Sequence, residues 1–130
     1  MPTFLAAASK HLLSVLRIIT AFLFMMHGVQ KYLGFPAPRA NPTVWYSLSG
    51  IAGLMELIGG VLLLFGVFTR PVAFLLSGEM AFAYFIGHAG RGFWPLLNGG
   101  ELAVLYCFVF LFIAAAGAGP WSIDHARGRA

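Results

Sequence analysis

The chain has 130 residues, of which 60% are hydrophobic and 9% charged, with 13 Phe and a mean hydropathy of +0.87. A soluble domain carries roughly a quarter charged residues to keep its surface wet, which excludes a soluble enzyme, a nucleic-acid binder and a disordered tail. The net charge of +4 then reports loop topology rather than nucleic acid, and the apolar content matches four bilayer spans of about 20 residues each.

The first expected span, 12–34, is polar only at Ser14, Arg17, Thr20, His27, Gln30 and Lys31 and stops at Gly34 and Pro36. It is too long for a secretory apolar region and lacks a small-residue cleavage site, so it reads as retained. Pro36, Pro38, Asn41 and Pro42 mark a loop. The second span, 48–68, holds Glu56 as its only charge. Thr69-Arg70-Pro71 is a tight turn, because proline tolerates the first turn of a helix but not its interior. The third span, 71–87, holds Glu79; a Gly-rich loop with His88, Arg91, Trp94, Pro95 and Asn98 follows. The fourth span, 100–118, opens on Glu101 and ends before Gly119-Pro120 and a polar tail. The expected fold class is all-α, an integral membrane four-helix bundle forming one domain over 1–130.

Lys10, Arg70, Arg127 and Arg129 lie on one side with Arg17 just inside; Arg39 and Arg91 lie on the other with Lys31 just inside. The excess of bases on the first side places both termini and the Arg70 turn in the cytoplasm. Trp45, Trp94 and Trp121 fall near span ends, as an interfacial aromatic belt requires. The single Cys107 permits neither an internal disulfide nor a redox dithiol.

Three of the four acidic residues, Glu56, Glu79 and Glu101, fall in spans. A charge at bilayer depth costs about 2.5–3.5 kcal/mol on insertion scales, so such groups face partners or a cavity. Arg17, Thr20, Phe24, His27 and Lys31 share one stripe of the first span by their three- and four-residue spacing. Counting helix rise, His27, Lys31 and Glu56 meet in the outer half, with Glu101, His88 and Arg91 near the same mouth; these six form a candidate ligand or proton-handling pocket. Arg17 and Glu79 fall in the inner half and are expected to pair, locking spans one and three. The plain alternative is that such pairs only fix helix register, with Lys31 reaching to the interface as an anchor. Gly53, Gly59 and Gly60, with Ser49, read as close-packing positions. The four histidines share no helix face that would hold haem or another metal, and the glutamates lack the Glu-x-x-His pattern of di-iron bundles, so no metal is assigned.

Arg17 to Lys31 with His27-Gly28, then Glu56-Leu57-Ile58-Gly59-Gly60, Gly66, Thr69 and Arg70 form an ordered set. It continues with Met80, Ala83 and His88, Asn98-Gly99-Gly100-Glu101, and the ending Gly117-Ala118-Gly119-Pro120-Trp121-Ser122-Ile123-Asp124. Over nearly the whole chain this set resembles the DoxX family of bacterial and archaeal inner-membrane proteins. Pro120 departs from the pattern, where a variable or basic residue is expected. The resemblance implies a four-helix membrane protein associated with quinone-linked oxidase and thiosulfate oxidation systems, or with oxidative and thiol stress, as a membrane partner of redox enzymes.

Three functions compete. The first is an accessory or membrane-anchor subunit of a redox system, holding quinone as its cofactor candidate in the outer pocket, with His27 exchanging a proton and Lys31 or Glu56 orienting it. The second is a scaffold that recruits a partner enzyme without a ligand of its own. The third and weakest is a small-solute or proton pathway. The expected location is the bacterial inner membrane, with a redox enzyme or a second copy as partner because four short spans enclose little volume.

Overall fold

The computed structural model describes residues 3–129. Thr3 caps the first helix, α1 (Phe4–Leu33), by accepting the Ala6 N–H at 3.2 Å. The helix starts well before position 12 because Ala6, Ala7 and Ala8 are strong helix formers. Its 30 residues span about 45 Å, more than the roughly 30 Å of a bilayer core. Helix α2 (Leu48–Phe65) follows a loop and stops short of 68 because Gly66, at φ 69°, turns the chain left-handed. Helix α3 (Thr69–Gly87) starts at once and accepts Pro71 within its first turn. A 3-10 turn (Ala89–Arg91) and the short α4 (Pro95–Asn98) form the next loop, α5 (Glu101–Ala116) returns, and α6 (Ile123–Ala126) closes the chain.

Helices α1, α2 and α3 are long and apolar enough to cross a membrane; α5, at 16 residues, is apolar but shorter. Successive long helices run in opposite directions, which defines a terminal end, with the start of α1, the end of α5 and the Gly66–Phe68 turn, and a loop end. No strand occurs among the described residues. The helices associate as two close pairs, α1 with α2 and α3 with α5. Along the first pair a Cβ on Gly28 would sit 2.6 Å from the Gly53 carbonyl oxygen, so only hydrogen at position 28 lets the backbones approach this far. Phe24 ties the two pairs together, meeting Tyr106 and Phe110 edge-on at centroid distances of 5.3 and 4.8 Å. The outward faces are apolar, with Phe74, Phe82, Phe85 and Phe108 more than half exposed, as a bilayer solvent demands.

Candidate functional site

Two polar clusters lie inside the bundle. Toward the loop end, Lys31 Nζ meets Glu56 Oε1 at 3.0 Å, with side-chain exposures of only 16% and 7%. A side chain leans toward the N-terminus of its own helix. Lys31, near the loop-end terminus of α1, therefore turns back into the bundle, while Glu56 on the oppositely directed α2 leans toward it. The lysine stem crosses Gly53, one turn before Glu56, where a Cβ would lie 2.9 Å from Lys31 Cδ. Tyr32 donates its hydroxyl to the Gly50 carbonyl at 2.6 Å and braces the same crossing.

Glu79 of α3 lies at the depth of Glu56. Glu56 is eight residues past Leu48 and Glu79 eight residues before Gly87, so both lie about 12 Å below the loop end. Both Glu79 oxygens, and Oε2 of Glu56, are buried without a hydrogen-bond partner. Tyr106 of α5, within electrostatic reach of Glu56, supplies an aromatic wall stacked on Phe110 at 5.6 Å. The His27 ring stands edge-on to Tyr106 at 6.2 Å, but its side chain is otherwise exposed and, unlike the expected grouping, makes no hydrogen bond to Lys31 or Glu56. Tyr106 is absent from the candidates drawn from sequence; its signal was a lone hydroxyl in a Phe-rich helix.

The expected Arg17–Glu79 pair does not form. Fully buried Arg17 donates from Nε to the Leu63 carbonyl at 2.8 Å, and from its terminal nitrogens to the carbonyls of Ala118 and, at 2.6 Å, Trp121. Leu63 lies in the last turn of α2, where its carbonyl also accepts the Gly66 N–H at 3.1 Å and the helix end carries partial negative charge. Backbone acceptors thus take the place of the carboxylate. Asp124 completes this second cluster by accepting the N–H groups of Phe68 at 3.0 Å and Thr69 at 2.8 Å, capping α3 from 55 residues away. Burial pushes the Asp124 carboxyl up, but those N–H donors and the Arg129 charge outweigh it and hold it below the ordinary aspartate value.

Glu101, His88 and Arg91 are not drawn to the Lys31–Glu56 pair. Glu101 opens α5 and points outward, where a helix N-terminus favours a carboxylate. Arg91 is exposed. His88 instead serves the loop: its Nδ1 lies 3.2 Å from the Asn98 carbonyl, while buried Asn98 donates to the Tyr84 hydroxyl at 3.1 Å and the Gly92 carbonyl at 3.0 Å.

An apolar helical bundle with a partly unpartnered carboxyl–ammonium cluster at one depth defines a small multi-span membrane protein. The DoxX family model matches residues 12–89, and the chain belongs to that family. An uncharacterized protein of Haemophilus influenzae is 45% identical over 120 residues, covering 88% of this chain and 90% of its own length. The Inner membrane protein YphA of Escherichia coli (strain K12) is 30% identical over 133 residues, 91% of each chain. An uncharacterized membrane protein of Mycobacterium tuberculosis is 25% identical over 146 residues, 95% of this chain and 85% of its own. No solved structure matches the chain significantly.

Proposed function

We propose that the chain is an accessory or anchoring subunit of a redox system, and that Lys31, Glu56, Glu79, Tyr106 and His27 hold a small apolar ligand of the quinone type. The carrying observation is the 3.0 Å Lys31–Glu56 pair inside the bundle, beside three buried carboxylate oxygens with no partner. A quinone accepts hydrogen bonds at two oxygens when oxidised and donates from them when reduced. Ammonium and imidazole suit the first form, carboxylates the second, and the Tyr106–Phe110 stack offers a face for the ring. His88, Arg91 and Glu101, at the rim, are assigned no ligand contact.

In this reading the protein sits in the bacterial inner membrane, a location supported by one relative's name, with both termini and the Arg70 turn in the cytoplasm, an orientation supported by the base distribution. Electron transfer belongs to the partner enzyme. The test is binding of a short-tailed quinone to protein in lipid nanodiscs. His27→Ala and Glu56→Gln are expected to weaken binding about tenfold or more; equal binding by all three forms removes the assignment.

A second reading, a scaffold without a ligand, is favoured by Arg17 and Asp124, whose hydrogen bonds go to backbone groups that tie the helices to the segment after α5. It predicts that co-purification of a partner enzyme survives Lys31→Met combined with Glu56→Leu. Loss of the partner with the fold retained argues for the ligand.

A further inference from the structure

Helix α5 is tied to α3 at both of its ends. At the terminal end Arg70 of α3 donates to the carbonyls of Ala114, at 3.2 Å, and Ala115. At the loop end the Tyr84 hydroxyl accepts from Asn98 at 3.1 Å, and a Cβ on Gly100 would lie 2.7 Å from the Tyr84 ring. Tyr84 stands fourteen residues above Arg70 along α3, and Glu101 stands fourteen from Ala115 along α5, so both routes put the start of α5 about 21 Å from the level of Arg70. The exposed Arg70 guanidinium belongs at or beyond the edge of the hydrocarbon, whose thickness is roughly 30 Å. Gly100 is therefore about 9 Å short of the far edge, and the chain just before it is set at membrane depth.

That chain is arranged for such a medium. Phe93, Trp94, Leu96 and Leu97 are between 65% and 80% exposed, while the backbone they hang from turns its polar groups inward. The Gly92 carbonyl accepts from the Asn98 amide at 3.0 Å, and the Trp94 carbonyl accepts the N–H groups of Leu97 and Asn98, each at 2.9 Å. His88 Nδ1 donates to the Asn98 carbonyl at 3.2 Å, and the Gly100 N–H donates to Asn98 Oδ1 at 2.8 Å. A loop in water hides its large apolar side chains and leaves such groups to solvent; this one does the reverse, as irregular backbone in a bilayer must. Arg91 and Glu101, exposed at either end of the segment, have stems that reach toward the headgroups, which keeps the segment in the shallow part of the hydrocarbon.

We propose that residues 92–97 form a re-entrant element set in the leaflet at the loop end, an interaction surface whose partner is the acyl chains of phospholipids. Phe93, Leu96 and Leu97 lie among the chains and Trp94 at the headgroup boundary. The element completes the crossing that the 16 residues of α5 leave short. His88 and Asn98 thereby gain a role as the residues that let an irregular backbone enter the bilayer. This surface is independent of any ligand at the Lys31–Glu56 pair.

The test is tryptophan quenching in nanodiscs of phosphatidylcholine and phosphatidylglycerol holding one full-length chain each. The chain has three tryptophans, so Trp45→Phe with Trp121→Phe leaves Trp94 as the sole emitter. Its emission should be blue-shifted, should be mostly lost when the lipids carry bromine high on the acyl chain, less so when the bromine is near the chain end, and should resist aqueous acrylamide. Quenching by acrylamide as strong as that of free tryptophan overturns the proposal, because the segment is then in water. Protection from both quenchers overturns it as well, because protein then covers the face. Circular dichroism checks the fold of the doubly substituted chain; should it not fold, the difference in quenching between wild type and Trp94→Phe reads the same quantity. Leu96→Asp combined with Leu97→Asp, at positions that pack against nothing else in the chain, should exchange lipid quenching of Trp94 for acrylamide quenching with helix content retained. An unchanged quenching pattern in that folded variant overturns the part given to these two side chains; should it not fold, the parent chain decides alone.

Discussion

A lysine near a helix end in a membrane ordinarily extends its stem to the interface, yet Lys31 points inward because Glu56 meets it one helix away and Gly53 leaves room for the stem. The pair is desolvated on both sides, so removing one member strands the other. Lys31→Met is expected to cost about 3–5 kcal/mol, while Lys31→Met with Glu56→Leu recovers most of that loss. Denaturant-detergent unfolding in mixed micelles measures both, and a double variant as unstable as the single one contradicts the pairing. This contact was legible in the sequence, since both residues fall in the outer halves of adjacent antiparallel spans, within reach of a lysine stem. The role of Glu79 was not. Depth counting alone admits a partner above or below a carboxylate, and the rotation of α3 that buries the Glu79 oxygens is set by packing.

At the scale of helices, two devices shape the bundle. The seam between α1 and α2 depends on Gly28, where an added Cβ would also lie 2.8 Å from Leu57 Cγ. Gly28→Val should cost about 1–3 kcal/mol through overpacking, read as a lowered thermal midpoint; an unchanged midpoint shows that the helices part without penalty. The start of α3 depends on Asp124, because Phe68 at φ 50° offers no side-chain cap of its own. Asp124→Ala should cost about 1 kcal/mol or somewhat more. The folded carboxyl is held below its ordinary value, so the unfolded state binds the proton more readily. The cap's contribution is therefore complete above the ordinary aspartate range and fades as pH falls through that range toward the folded value. The stability gap between wild type and Asp124→Ala should narrow on acidification; a gap that widens in acid refutes the capping role. Chain order hides this contact, for no local pattern links residues 55 positions apart.

For the whole molecule, Arg17 is the rivet that joins α1, the end of α2 and the segment after α5. Ser14 adds to it by accepting the Trp121 N–H at 3.1 Å. Arg17→Met should leave helix content intact while releasing the chain from Gly119 onward, raising trypsin cleavage at Arg127 about tenfold. Cleavage at the wild-type rate shows that the segment is held by other contacts.

Composition by itself determined that the chain lives in a bilayer, because hydrophobic transfer depends on how much apolar surface there is and not on its arrangement. The order of apolar runs, glycines and prolines then set the number and direction of the long helices, with ends shifted by a few residues where Ala6 to Ala8 extend α1 and Gly66 shortens α2. What Arg17 and Glu79 face was decided only by the tertiary structure. The acceptors for Arg17 are backbone carbonyls that every residue carries, so no side-chain pattern announces them. Likewise the loop chemistry of Asn98 fixes His88 away from the Lys31 pair. Hydrogen bonds demand distance and direction together, and those exist only once the helices have taken their rotations against one another.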